Sequence, residues 1–492
     1  MPPSDRLSAL DALFLDIERD SPAHMHVASL MIFEGEAPSY EETLGALEER
    51  LHLVPRYRQK LASVPYGLGR PVWVDDPRFN LTFHLRHSAL PVPGSDEQLA
   101  ALAGRLFAAA LDRGKPLWEI HLVEGLAPAG DGSPRFAVIA KTHHALVDGI
   151  SGVDVTSVLF SSTPDAPPVG PPASPWMPRP EPTGAQVLAD ALLERVVSPA
   201  EGLRSLYRLS HAPRKATERV VTQLAAAGAM AWTGLRGAPD TPLNVPIGPH
   251  RRFGWVDAPL VLAKEIKNEL GGTVNDVVLT VVSLALGRFL RRRGFPTDGL
   301  VLKSMVPVSV RASEQRGALG NRVAAVWAPL PMGIEDPREC FAAVHEAMGD
   351  LKASGQAVGA ETLTGLADFA PTTIFSQAAR LQARQRMFNL VVTNVPGPQH
   401  PLYLLGRRMV AIYPVVPLAP RTALGVAIIS YAGRLGFGLT ADFDALPDLG
   451  DLVEDLEGAL FDLGRAAEVE RHPWPMHERH AITSAHTPRE RR

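Results

Sequence analysis

Two histidines stand side by side in the stretch KTHHALVDG, His143 and His144, with Asp148 and Gly149 just after them. A neutral imidazole accepts a proton near pH 7, and a base held in one tautomer and one orientation through its second ring nitrogen can take the proton of an attacking hydroxyl. The apolar run Phe136 to Lys141, preceded by the turn signal Gly132-Ser133-Pro134, reads as a strand feeding the pair. Successive side chains of an extended segment take opposite faces, so one imidazole is expected in the core and the other beside an open space. Asp148-Gly149 is a turn signal that reverses the chain. Asp148 then either orients a ring or holds the turn through a buried pair with an arginine. Two histidines and a carboxylate also suit iron or zinc. Adjacent strand residues diverge, however, so both rings would not reach one ion, and no metal is expected.

With 16 histidines and 41 glycines in 492 residues, a chance H-H-x-x-x-D-G arises on the order of once in several hundred such chains. No G-x-S-x-G elbow accompanies it. The single cysteine, Cys340, lies in the helical pattern DPRECFAAVHEAM and reads as a small core residue. The expected chemistry is therefore direct attack of an acceptor on an activated acyl donor, with no acyl-enzyme. Asn275 and Asp276 precede a long apolar helical pattern, where both are good helix caps.

The elements that must position these residues fall into two α/β regions. The first, 1–163, alternates helical patterns (Tyr40 to Leu53, Asp96 to Leu111) with strand-like runs (His26 to Phe33, Trp118 to Val123, Phe136 to Lys141) and ends in a helical pattern from Val153 to Phe160. The second, 251–467, has strand-like runs Leu300 to Val308, Val323 to Leu330, Leu390 to Asn394, Leu424 to Ser430 and Leu435 to Ala441. Its helical patterns are Leu262 to Glu269, Asp276 to Arg291, Asp336 to Lys352 and Leu449 to Arg465. Between them, 164–250 opens with nine prolines from Pro164 to Pro182. Neither helix nor sheet propagates through such a stretch, so an extended linker is expected. Helical patterns follow it, Gly184 to Val197 and Leu203 to Leu235, the second basic first and apolar after. It is either a helix packed across the domains or a lipid contact. Residues 468–492 are polar, lack periodicity and read as a disordered tail.

Net charge is −4, so no bulk cationic field for nucleic acid exists, and 46% hydrophobic with 21% charged residues is an ordinary globular balance. The N-terminus lacks the basic-then-apolar build of a signal peptide. No uninterrupted apolar run reaches about 18 residues, so no bilayer-spanning helix is expected.

H-H-x-x-x-D-G is the signature of the CoA-dependent acyltransferase superfamily, whose fold resembles chloramphenicol acetyltransferase, and it also occurs in peptide-synthetase condensation domains. Further segments narrow the resemblance: LDALFLDIERDSPAHMHVASLMIFEG, VPRYRQKL, PVWVDDPRF, LDRGKPLWEIHLVEGL, GGTVNDVVLTVV, LGNRVAAVWAPLP and VVTNVPGPQHPLYLLG. Together, from about Leu10 to Asp444, they look like the blocks of the bacterial wax ester synthase/diacylglycerol acyltransferase family. The resemblance implies two chloramphenicol acetyltransferase-like α/β domains side by side with a tunnel between them. It implies His144 as general base, with His143 and Asp148 framing it and Asn275 on the oxyanion side. Gly149, Asp276, Pro116, Leu117, Trp118, Asn394, Pro396 and Gly397 match family blocks along the substrate passage, though bottom-up the Pro116-Leu117-Trp118 and Asn394-to-Pro398 blocks also read as packing and turn chemistry.

The substrates implied are acyl-CoA with diacylglycerol, the favoured acceptor, or a long-chain alcohol, with no cofactor beyond the CoA substrate. Both acceptors partition into lipid, so a cytoplasmic protein working peripherally at a membrane or lipid-droplet surface is implied. A condensation-like enzyme with a carrier-bound or polar acceptor, or a non-catalytic lipid-binding protein, are the competing classes.

Overall fold

The structure is a computed structural model. It describes residues 6–19, 21–65, 69–147, 159–167, 169–170, 172, 174–190, 237–309, 323–353 and 387–469. Two six-stranded mixed sheets organise the chain. The first runs, edge to edge, through β11 (Tyr403–Leu404), β12 (Arg407–Val415), β1 (His26–Glu34), β6 (Arg135–His143), β5 (Trp118–Leu126) and β4 (Leu85–Ala89). The second runs β7 (Arg251–Pro259), β14 (Arg434–Asp442), β13 (Leu424–Tyr431), β10 (Leu390–Pro396), β8 (Val301–Ser309) and β9 (Val323–Pro331). A small hairpin pairs β2 (Gln59–Ala62) with β3 (Val72–Asp75).

Helices cover the sheets because each carries one apolar stripe that must be buried. Around the first sheet lie α1 (Ala9–Arg19), α2 (Tyr40–Arg50), the short α3 (Leu81–His84) and α4 (Asp96–Ala108), and the turn α5 (His144–Val147) follows β6. With the second sheet go α6 (Leu260–Leu270), α7 (Val274–Arg292), α8 (Pro337–Ala353) and α9 (Leu449–Ala466). Ser39 and Ser95 start α2 and α4 with reciprocal capping boxes to Glu42 and Gln98, which satisfy amides that have no partner within the helix. Leu99, Ala103 and Phe107 of α4 pack on Leu30, Ile32, Ala137 and Ile139, one face of the first sheet. The apolar α7 is buried in the second core, from Val277 to Leu290.

Nearly every strand and helix expected around the two histidines is present, with ends shifted by a few residues. The boundary between the two regions is less simple than the sequence suggests. β12 lies within 251–467 yet pairs antiparallel with β1, Leu30 opposite Tyr413, so the later half of the chain lends a strand pair to the first sheet. On its way β12 rides over β14 at backbone contact. A Cβ on Gly436 would stand 2.1 Å from the Ile412 carbonyl oxygen, and one on Gly438 would stand 1.9 Å from that of Pro414. No side chain fits there and the obstructing atoms are backbone. Gly438→Ala is therefore expected to destabilise the protein by about 1–3 kcal/mol or more, read as a lower urea midpoint at unchanged slope. An unaltered midpoint would contradict this packing.

The Pro-rich stretch has neither helix nor strand from 174 to 183, as expected, but it is docked on the hairpin. The Arg179 amide donates to Asp75 at 2.9 Å, Lys60 pairs with Glu181 at 3.5 Å, and Val187 packs with Val64, Val72 and Val74. The expected helical segments Val153 to Phe160 and Leu203 to Leu235, and the tail beyond 469, lie wholly or mainly outside the described residues. Among those described, no single helix is long and apolar enough to cross a membrane. The α6–α7 pair passes by composition but bends by 98°, and α7 is a core helix.

Candidate active site

β6 ends on His143, and the chain turns at once into α5, whose first residue is His144. The pair is thus a strand end and a helix start, not two extended residues. The expected division still holds: His143 is 1% exposed and His144 half-buried. Backbone bonds fix the junction. The His143 amide donates to Leu117 O at 2.9 Å and the His144 amide to Met25 O at 2.8 Å.

The His143 ring is held at both nitrogens. Nδ1 accepts from the Ala145 amide at 3.1 Å, so the ring proton sits on Nε2, which donates to Glu18 Oε1 at 2.9 Å. Glu18 Oε1 also accepts from the Met25 amide at 2.5 Å, and Oε2 pairs with Arg113 at 2.8 Å. Burial works to raise the Glu18 carboxyl, but the hydrogen bonds from His143 and Arg113 and its attraction to His143 and His26 outweigh it and bring it down to about 2. Glu18 is therefore a buried carboxylate that fixes the tautomer and direction of His143 and, through the rigid junction, the place of His144. The His144 ring lies on Phe14, centroids 4.7 Å apart at 57°, and Phe14 belongs to an apolar cluster with Ala23, Met25, Ile247 and Leu418.

More charge is buried on the same face of the sheet. Lys141, two residues before His143 and so on its face, donates to the Leu106 and Ala109 carbonyls at the C-terminus of α4, at 2.7 and 3.0 Å, and pairs with Glu119 at 2.6 Å. A cation there satisfies the last carbonyls of the helix and its dipole. Glu119 is also held at about 2: burial opposes, and His121 and Lys141 prevail. His26, the cross-strand partner of His143, sits edge-on to it at 5.9 Å, and burial drives its ring well below the usual histidine range.

Sequence reasoning missed Glu18, Arg113, Lys141, Glu119 and His26. Glu18 left a signal. It falls on the Asp11, Phe14, Leu15, Glu18 stripe of α1, where i, i+3, i+4 and i+7 mark the buried face of a helix, and a carboxylate there needs a partner.

The other expected site residues are dispersed. Leu117 and Trp118 are each 1% exposed. Leu117 holds the backbone of His143. Trp118 stacks on His84 at 4.4 Å and donates from its indole to Tyr57 O at 2.9 Å. With Pro116 also buried, this block offers packing and a backbone anchor rather than a surface for substrate. Asn275 is half-buried in the first turn of α7. The cap of that helix is Thr273, not Asn275, and Asp276 closes the capping box, accepting from the Thr273 amide and from His345 Nδ1, each at 2.9 Å. Asn394 is half-buried on β10 opposite Ile428, and Pro396 is exposed. Gly397 donates to Ser430 O at 2.9 Å, where a Cβ would stand 2.4 Å from that oxygen, so only glycine permits the contact. Asp148 and Gly149 lie outside the described residues.

A cleft of about 2120 Å³ opens between the two halves, bounded by Ile32, Ala100, Trp255, Tyr413, Arg434 and Phe461 among others. Neither His143 nor His144 lines it. It meets β1 at Ile32, six residues from His26 and so roughly 20 Å along the strand. The end of α4 fills the space between, with Gly104 so close to β7 that a Cβ would stand 2.6 Å from Arg251 O. This cleft is therefore not a passage through the histidines.

Donor atoms of Glu18, His24 and His26 lie within 4.8 Å of one another, a group that could hold a cation. Glu18 is already engaged by His143, Met25 and Arg113, and Arg251 and Lys141 add positive charge beside His24. That donor set suits the hydrogen-bonded frame better than a metal.

The model of the wax ester synthase/diacylglycerol acyltransferase catalytic domain matches residues 7–278, and the C-terminal domain of the same family matches 319–463. The chain belongs to the wax ester synthase/diacylglycerol acyltransferase family. Within it, the chain is 33% identical over 469 residues to a Mycobacterium tuberculosis protein named probable diacylglycerol O-acyltransferase tgs1, covering 93% of this chain and 95% of that one. It is 34% identical over 478 residues to the one named tgs2, covering 94% and 100%. Among solved structures, the wax ester synthase/diacylglycerol acyltransferase from Marinobacter aquaeolei VT8 superposes with a TM-score of 0.65 at 27% identity, over 94% of this chain and 100% of that one. The first condensation domain of the calcium-dependent antibiotic synthetase, at 15% identity and a TM-score of 0.56 over 94% and 95%, shares the two-domain fold. The chain is thus an acyltransferase of this family, with the chloramphenicol acetyltransferase-like α/β fold expected from its sequence.

Proposed function

We propose that this acyltransferase moves a long-chain acyl group from acyl-CoA to the hydroxyl of diacylglycerol, forming triacylglycerol, and also to long-chain alcohols, forming wax esters. The observation that carries it is the asymmetric pair: a half-buried His144 on an apolar floor, beside a His143 locked by Glu18. His144 takes the proton of the acceptor hydroxyl as its oxygen bonds to the thioester carbon. The tetrahedral intermediate collapses, the carbon–sulfur bond breaks, and His144 returns the proton to the CoA sulfur. Holding both substrates at once supplies much of the rate, and base catalysis of this kind calls for no metal or prosthetic group. Asn275 is assigned to the oxyanion. Asp276, fixed between Thr273 and His345, steadies the helix start that carries it. His143 and Asp148 frame the base, and Gly149 gives the turn.

Diacylglycerol is favoured as acceptor by the tgs1 and tgs2 relatives, whose names state that activity. Both acceptors reside in lipid, so the enzyme works peripherally at a membrane or droplet surface, with 203–235 the candidate contact. Purified protein incubated with labelled palmitoyl-CoA on liposomes containing diacylglycerol or hexadecanol should give labelled triacylglycerol and wax ester, and the protein should sediment with the liposomes. Label remaining in palmitoyl-CoA or free acid would overturn the reading, and activity confined to the supernatant would overturn the surface association.

A further inference from the structure

A small void lies between the two halves, lined by His26, the cross-strand neighbour of His143. Its walls include His24 and His26 at the start of the first sheet, Arg251 and Thr440 from the second, and Leu418. Its volume is about 20 Å³, room for one water-sized group. Two lining residues carry buried polar atoms that have no hydrogen-bond partner among the described residues, His26 Nδ1 and Thr440 Oγ1. The residues are 5% and 3% exposed. Buried polar atoms are nearly always satisfied in native proteins, and a polar group bound between these two residues would satisfy both.

The Arg251 guanidinium is already engaged. Arg251 donates to Pro22 O at 2.7 Å, Gly248 O at 2.6 Å and His250 O at 2.8 Å. These bonds tie β7 to the segment just before His24 and fix the width of the void. The remaining walls are the His24 ring and the apolar Phe107, Val415, Val416, Pro417 and Leu418. His26 is the cross-strand partner of His143, and Leu418 also belongs to the apolar cluster that holds Phe14 beneath His144. The void is thus one residue removed from His143, through His26, and is built from both domains.

We propose that this void is an acceptor subsite in which His26 and Thr440 hydrogen-bond an ester oxygen of the glycerol backbone next to the hydroxyl under attack. The proposal rests on the reading of His144 as base and diacylglycerol as acceptor. A carbonyl oxygen accepts from the Thr440 hydroxyl, and from His26 in the tautomer that carries the proton on Nδ1. Diacylglycerol has two such esters near its free hydroxyl. A fatty alcohol has no second oxygen and leaves the void to water. The subsite therefore discriminates between the two acceptors, because a site built to hydrogen-bond a substrate oxygen penalises an analogue that lacks it.

The test is steady-state kinetics with palmitoyl-CoA and either diacylglycerol or hexadecanol in the same detergent micelles, for wild type, Thr440→Val and Thr440→Ser, with melting temperatures. Valine keeps the shape and removes the hydroxyl. The expected result is an increase of about 5- to 10-fold in the KM for diacylglycerol relative to that for hexadecanol, largely reversed by serine, with no fall in melting temperature. An equal change for both acceptors, no change for either, or a fall in melting temperature with both acceptors affected alike would mean a structural water only and overturn the subsite. A wild type that acylates only hexadecanol would also overturn it. Full activity of His144→Ala in the same assay would instead remove the underlying base, whatever Thr440→Val does, so the two failures are distinguishable.

Discussion

His144→Ala lowers kcat by roughly 10²- to 10⁴-fold, the range usual for loss of a general base, while the melting temperature stays within about 2 °C of wild type. The asymmetry follows from the two rings. His143 is buried and bonded at both nitrogens, so it is part of the fold. His144 is half-buried and lies on Phe14, so its removal takes less buried contact from the fold than removal of His143. The loss belongs in kcat more than in KM, because a base abstracting the hydroxyl proton acts in the transition state and adds little to ground-state binding. Substitution of His143 should behave differently. It leaves the Ala145 amide and Glu18 without their partner in a buried place, so stability and activity fall together. Rapid-mix or initial-rate assays beside thermal melts separate the two patterns. More than a tenth of wild-type activity in His144→Ala would sink the assignment.

The strands that carry the pair were legible because they are buried on both faces and read as short apolar runs. β1, β5 and β6 appear where His26 to Phe33, Trp118 to Val123 and Phe136 to Lys141 were expected. α7, α8 and α9 were legible from their 3.6-residue periodicity. Other elements were hidden for identifiable reasons. β7, RRFGWVDAP, has a glycine and a proline in a strand, and β12, RRMVAIYPV, opens on two arginines and carries Pro414. β12 alternates buried and half-buried residues from Met409 onward, but its pairing with β1 joins segments nearly 400 residues apart, and nothing local announces it. Gly436 and Gly438 record that crossing only once the opposing carbonyls are known. At the site, the motif gave both histidines, of which the fold buries His143 and leaves His144 half-buried. It gave no partner for His143, because Glu18 lies 125 residues away on a helix the sequence reading did not assign. A motif names neighbouring residues; the groups that hold them come from wherever the fold brings a carboxylate.

That remote carboxylate supports the remaining large effect. Glu18→Gln keeps the shape of the side chain but removes the charge that faces His143 and Arg113. In the folded protein the carboxyl titrates at about 2, against an ordinary value of 4.5. A shift of that size corresponds to about 3 kcal/mol of stability for a group so well buried. The sign is fixed by its direction. A folded-state value below the unfolded one means the unfolded chain binds the proton first, so the stabilisation is full above about pH 4.5 and is lost as the pH falls towards about 2. Glu18→Gln should therefore be less stable than wild type by ~2–3 kcal/mol at pH 7, with a gap that narrows below about pH 4.5. Urea melts at pH 7, 5 and 4 measure it, and a gap independent of pH would mean the carboxylate charge is not what stabilises this corner. Activity supplies a second readout. Gln can present its amide rather than its carbonyl to His143 Nε2, and the competition between Arg113 and His143 for one carbonyl oxygen loosens the ring. We expect kcat at pH 7 to fall about 10-fold or more with KM for acyl-CoA changed less than twofold, in line with the effect of removing the carboxylate that orients a histidine. The same substitution thus separates what Glu18 does for the fold, which vanishes in acid, from what it does for the base, which persists at every pH where the enzyme is folded.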